Sequence, residues 1–256
     1  MKVRILGFFA LCCVLAAIVS LNSAPRVMSQ TSKASLSPTE QDLLNEINQA
    51  RAHPDIYAKY LEALKPLFKD KEYRPAGRQA IVTEEGWTAV EDAIKYLRAA
   101  KPQPPLGISS GLCLAAVSHV KDQSSSGKVG HESQSGVITD RVKTFGTWQG
   151  KIAENLSYGN ESARDRVLDW LMDDGTPNRG HRNALLSDNF TVVGISCGSH
   201  PEFGSMCALP LAGGFMDASG RGNQTQSTGA AKSNSNASSN SKTANSNKSA
   251  PKPRKF

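Results

Sequence analysis

The stretch DWLMDDGTPNRGHRNALL, residues 169–186, sets carboxylates and an imidazole on either side of a turn. An apolar helical run ends at Met172 and two acids follow, Asp173 and Asp174. Gly175, Pro177 and Gly180 then turn the chain before His181 and Arg182 open a second short helical run. Carboxylate and imidazole side by side serve general acid–base chemistry or hold a divalent ion. The same acids also serve as plain turn formers ahead of Gly175. Two other stretches carry these residue types: GHES (130–133), with His131, and AENLSYG (153–159), with Glu154. Neither has the pattern of a core segment. No pair among His131, Glu154 and His181 has the local spacing of a helical metal motif, so a shared site has to be assembled by the fold.

The remaining chemistry-bearing residues are weaker candidates. GISSG (107–111) matches the G-x-S-x-G nucleophile pattern, which requires a strand running into the turn. Here Pro102-Gln103-Pro104-Pro105 precedes it, so Ser109 and Ser110 read as caps of the next helix. His119 lies on an apolar helical face with Leu112 and Ala115 and reads as a core histidine with one hydrogen-bonded nitrogen. His53 and His200 adjoin prolines in loops and are assigned no role.

Positioning falls to a helix-rich body. Ser37-Pro38-Thr39-Glu40 is an N-cap, a first-turn proline and a capping-box glutamate, followed by Leu43, Leu44, Ile47 and Ala50 at helical spacing. A second helical run starts at Pro54, a third spans 84–100 with Trp87, Val90, Ile94 and Leu97 on one face, and a fourth spans 110–125. KPLFKDKEYRPAGRQ has no period and reads as a surface loop. Residues 144–158 can hold a strand. Helices over 167–172 and 180–186 and two closing strands, 191–197 and 205–209, complete the body. Early helices, a middle strand and a late hairpin indicate an α+β or layered αβα domain. Its size, about 180 residues, is that of one domain, and no internal repeat is visible.

Both ends differ from this body. Met1-Lys2-Val3-Arg4 followed by the uncharged apolar run Ile5–Leu21 reads as a secretory signal ending by residue 29, with 30–37 as linker. Cys12 is not a lipoprotein cysteine, because Leu11 precedes it and the apolar run continues. Residues 218–256 are rich in Ser, Asn and Lys, a composition too poor in apolar side chains to offset ordering entropy, and read as a disordered tail. That tail holds seven basic residues and no acidic one, so it accounts for the whole formal charge of +7. The body carries 19 basic against 23 acidic residues and offers nothing for nucleic-acid binding. The tail suits diffuse contact with an anionic cell-surface polymer. Three cysteines remain after the signal. Cys197 and Cys207 flank GSHPEFGSM and face each other in a hairpin turning near Glu202, a bond worth about 3 kcal/mol by loop closure. Cys113 is left as a buried thiol.

The ordered set of Asn48-x-x-Arg51, Leu106, Leu112, Ala116, His119, GHES, AENL, Trp170, GHRN and VVGISCG resembles the CAP superfamily. These are the SCP/TAPS or pathogenesis-related-1-like secreted domains, and the chain is similar to their bacterial branch over residues 38–217. The resemblance implies a three-layer αβα sandwich with a ligand cleft lined by His131, Glu154, Asp173 and His181. Ala153 stands where the family usually has glycine, and Asp173 where it commonly has the longer glutamate. Asp174 competes for that place at a helical phase about 100° away. The two histidines could hold a zinc-like divalent ion weakly, no cofactor being required. Glu154 could act as a catalytic general base without metal. The cleft could also only bind, taking a lipid, peptide or glycan. The sequence supplies no nucleophile, so a secreted or periplasmic monomeric binding module is the favoured expectation. A peptidase or cell-wall hydrolase is the alternative.

Overall fold

The computed structural model describes residues 35–75 and 80–218. The signal-sequence reading and the tail beyond residue 218 lie outside the described residues. Ser37 caps α1 (Pro38–Ala52) with the full capping box that Glu40 completes. Helices α2 (Pro54–Glu62), α3 (Trp87–Ala99) and α4 (Ser110–Ser126) follow, the last capped by Ser109, whose side chain accepts from Leu112 N–H. Then come α5 (Ile138–Phe145), α6 (Ala163–Met172) and α7 (Gly180–Leu186). No helix among the described residues is long and apolar enough to cross a membrane.

Two sheets are present among the described residues. The stretch expected to be a surface loop instead forms β1 (Phe68–Lys69) and β2 (Glu72–Tyr73), which pair with β3 (Ile81–Val82) as a small antiparallel sheet. Side-chain stacking offsets the lack of period there: Phe68 and Tyr73 stack at 4.8 Å and Trp87 meets Phe68 edge-on at 5.4 Å. The main sheet runs β4 (Gly107–Ile108), β6 (Val192–Val193), β8 (Gly204–Asp217) and β5 (Gly146–Tyr158), with β7 (Ser196–His200) also on β8. A two-residue strand therefore does precede Ser109, parallel to β6, yet Ser109 remains a helix cap.

Strand β8 shows the layering. Cys207, Leu209 and Leu211 point into a core shared with α1, α2, α3, α6 and α7. Met206, Ala208 and Ala212 point the other way, onto α4 and α5, and Phe215 joins them beyond the β5–β8 register shift opposite Gly213. This period-2 alternation with apolar residues on both faces makes β8 the centre of a three-layer αβα sandwich. The sheet and α4 approach closely at Gly194, where a Cβ would lie 2.1 Å from the carbonyl carbon of Leu112. Cys197 pairs directly with Cys207 across β7 and β8, the two sulfurs are bonded, and Cys113 is free and buried. Asn48 and Arg51 anchor α1 to the chain leading into β4. Asn48 bonds both the N–H and the carbonyl of Leu106, and Arg51 donates to the carbonyls of Pro104, Leu185, Ser187 and Phe190.

Candidate functional site

Glu154 and Asn155 are consecutive on β5, the edge strand, so their side chains leave on opposite faces of the sheet. Glu154 points to the α4/α5 side. There Oε1 accepts from Arg141 Nη2 at 2.5 Å and Oε2 accepts from His131 Nδ1 at 3.1 Å. Asn155 points to the α7 side and donates to the carbonyl of His181 at 3.1 Å. His181 Nδ1 in turn donates to Asp173 Oδ1 at 2.6 Å. The four residues thus form two histidine–carboxylate dyads, one on each face at the edge of β5, joined through the Glu154–Asn155 backbone.

The loop bearing His131 is held from several sides. Arg141 Nη1 donates to the carbonyls of His131 (3.0 Å) and Gly136 (2.7 Å). Gly130 donates to Tyr158 Oη, and its carbonyl accepts from His119 Nε2 and Gln123 Nε2. Burial pushes the pKa of His119 down, so it stays neutral and supports the residue preceding His131, as a core histidine with one bonded nitrogen. Asp122 accepts from Ser135 N–H and Oγ to close the loop.

The second dyad depends on a backbone turn. Asp173 ends α6 in the left-handed region, φ 53°, a conformation aspartate tolerates better than most side chains. The turn carries its short side chain to His181, so the missing methylene leaves no gap. Oδ2 also accepts from the backbone N–H groups of His181 (2.8 Å) and Arg182 (3.2 Å). Asp174 points elsewhere and accepts from Glu84 N–H and Glu85 N–H, so Asp173 is the acid paired with His181.

Both carboxylates stay ionised. Burial raises the pKa of Glu154, but the hydrogen bond from His131 and the charge of Arg141 outweigh it, and the net shift is downward. Burial likewise raises Asp173, and the hydrogen bonds from His181 and the Arg182 N–H bring it below the usual carboxylate range. An ionised carboxylate only accepts, so each Nδ1 carries a proton, and in the neutral ring Nε2 is then the acceptor. Neither Nε2 has a hydrogen-bond partner among the described residues. The two carboxylate side chains are each 1% exposed, while His131 and His181 are 39% and 19% exposed.

Sequence reasoning missed Arg141 and assigned Asn155 no separate role. Arg141 sits in an eight-residue helix whose N-cap, Val137, makes no side-chain cap, so nothing in the local pattern announced it. Among the described residues no three of His, Cys, Asp and Glu group so as to hold a metal ion.

A three-layer sandwich with two histidine–carboxylate dyads at the edge of its sheet defines the class of this protein. The profile of the cysteine-rich secretory protein family, CAP, matches residues 91–209, an interval that holds all four dyad residues. Three solved structures share weaker likeness. An extracellular protein containing an SCP domain from Bacillus anthracis str. Ames is 20% identical over 48% of this chain and 38% of its own, TM-score 0.37. An outer surface protein from Borrelia burgdorferi is 17% identical over 42% and 76%, TM-score 0.36. A cysteine-rich secretory protein from Staphylococcus aureus is 14% identical over 60% and 48%, TM-score 0.33. The match spans well under two thirds of the Bacillus and Staphylococcus chains, and the fold assignment rests on the packing described above. No curated protein matches the chain.

Proposed function

We propose that this CAP domain is an exported binding module whose ligand meets two bare imidazole nitrogens, Nε2 of His131 and Nε2 of His181. The observation that carries the reading is the pairing of each Nδ1 with a buried, ionised carboxylate, which leaves the second nitrogen of each ring as an acceptor toward solvent. Such a site takes hydroxyl or amine donors of a lipid, peptide or glycan, or a cation. Export is supported by the basic and then apolar residues 1–21 and by the disulfide, which fits an oxidising compartment, extracellular or periplasmic. The domain acts as a monomer, and the basic residues after 218 add diffuse attraction to anionic surface polymers.

A zinc-like ion fits this arrangement in a limited way. Metal-bound histidines commonly place their other ring nitrogen on a carboxylate, as both do here. The carboxylates themselves are occupied, so His131 and His181 would hold the ion and water would complete its shell. An ion held there would supply positive charge for an anionic ligand group. Two nitrogen donors support only weak affinity, about micromolar or poorer.

A hydrolytic reading, with peptide or cell-wall substrate, draws on the same dyads, since a carboxylate-oriented imidazole is a general base. In that reading Glu154, committed on both oxygens, orients His131, and His131 Nε2 takes the proton from water. Calorimetric titration of zinc into the protein, His131→Ala and His181→Ala at pH 7.5 and 5.5 tests the site. Weak binding at pH 7.5 is expected, lost in either variant and reduced at pH 5.5, because imidazole must be unprotonated to bind. Equal affinity in all three proteins would remove the metal from the account. Cleavage of a peptide or peptidoglycan fragment, abolished by His131→Ala, would favour the hydrolase.

A further inference from the structure

The segment between Asp173 and His181 is tied at both ends to residues 84–92, which lead into and open α3. Asp174 accepts from Glu84 N–H (2.7 Å) and Glu85 N–H (2.9 Å), and Gly175 N–H donates to Glu85 Oε1 at 2.9 Å. Arg179 closes the other end. Its Nη1 and Nη2 donate to the two oxygens of Glu85, each at 2.6 Å, Nε donates to Asp92 at 3.1 Å, and Nη1 also donates to the carbonyl of Asp173 at 2.8 Å. Asp173 and Arg179 have φ of 53° and 49°, and with Asp70 they are the non-glycine residues of positive φ among those described. A residue with a Cβ keeps that conformation only where its surroundings hold it, and such outliers gather at functional sites. Here the outlier has a chemical consequence. The left-handed turn at Asp173 aims Oδ1 at His181 Nδ1, and in the neutral ring that bond puts the proton on Nδ1 and leaves Nε2 bare.

We propose that Glu85 and Arg179 are positioning residues for the His181 imidazole, holding it through the strained turn in the tautomer that presents a bare Nε2. The inference rests on the dyad reading above but on no ligand. Asp92 shares the contact, yet it also accepts from Arg182 Nη1 at 2.8 Å and so joins α7 to α3 directly. The perturbation is therefore made at the other two residues.

Long-range proton–nitrogen NMR of the full chain, labelled at the nitrogens of its five histidines, reads each ring's tautomer separately. Glu85→Gln keeps the size of the side chain and removes its charge, and Arg179→Lys removes the planar fork. His181 is expected as the Nδ1–H form in the unaltered protein and to move toward the Nε2–H form in both variants. His131 is expected to keep its Nδ1–H pattern and so report an intact fold. Arg98→Gln, which breaks the exposed Arg98–Glu62 pair, is expected to change neither ring. An unchanged His181 in both variants overturns the proposal. Joint loss of the His131 and His181 patterns in both variants also overturns it, because the pair would then support the fold at large. An Nε2–H His181 in the unaltered protein would refute the dyad itself, and is seen before any variant is made.

Discussion

Replacing Arg141 with methionine removes a buried guanidinium paired with Glu154. The guanidinium is buried, as is the carboxylate it bonds at 2.5 Å, and the same group serves the carbonyls of His131 and Gly136. Taking away one partner of a buried pair leaves an uncompensated charge, a loss of about 3–5 kcal/mol. That is a large part of the roughly 5–15 kcal/mol that holds a domain together. At about 2–4 °C per kcal/mol for a domain of this size, the melting temperature should drop by roughly 10 °C. The double variant Arg141→Met/Glu154→Gln removes the stranded charge and should recover part of the loss, giving a coupling of about 2 kcal/mol. Arg141 also contributes to the downward shift of Glu154, so the deficit should shrink as pH falls and Glu154 takes up its proton. Urea titrations at pH 7 and pH 3.5 measure all of this. Additivity of the two substitutions within about 0.5 kcal/mol would refute the reasoning, since it would mean the pair is not coupled.

Acid should destabilise the unaltered domain through both carboxylates. Glu154 and Asp173 have folded pKa values below their unfolded ones, so their contribution is full above about pH 5 and lost as pH falls through about 4 and below. Asp173→Asn should flatten that fall, as measured by urea midpoints from pH 7 to 3. Cys197→Ala/Cys207→Ala should cost about 3 kcal/mol by loop closure without altering the secondary-structure signal in circular dichroism. A cost near zero would mean that the paired strands hold their register unaided. Deleting residues 219–256 should abolish retention on a cation exchanger at pH 7, because the body carries more acid than base.

The sequence was most readable where local chemistry acts alone. The capping box at Ser37 and Glu40, the serine cap of α4 and the hairpin pairing of Cys197 with Cys207 each follow from a few neighbouring residues. It was least readable where tertiary packing overrides pattern. Phe68, Tyr73 and Trp87 hold a small sheet that no periodicity marks. Helix α5 is too short to show a period, and with it Arg141 stayed hidden. The four dyad residues stood out by residue type in turn-rich stretches, but the resemblance and not spacing joined them in one cleft, since they lie on separate loops, a strand and a helix start. Their pairing could not be read at all. Whether Asp173 or Asp174 meets His181 depends on one left-handed turn, and the sequence shows the turn residues without the direction of either side chain.

The central claim is that His131 and His181 present bare Nε2 atoms to one ligand. A crystal grown with zinc and measured at the zinc absorption edge tests it most directly. The account predicts one anomalous peak within about 2.0–2.1 Å of Nε2 of both rings, with water as the remaining ligands. A peak bound to one histidine alone, or bound through Nδ1 with Glu154 or Asp173 displaced, would contradict it.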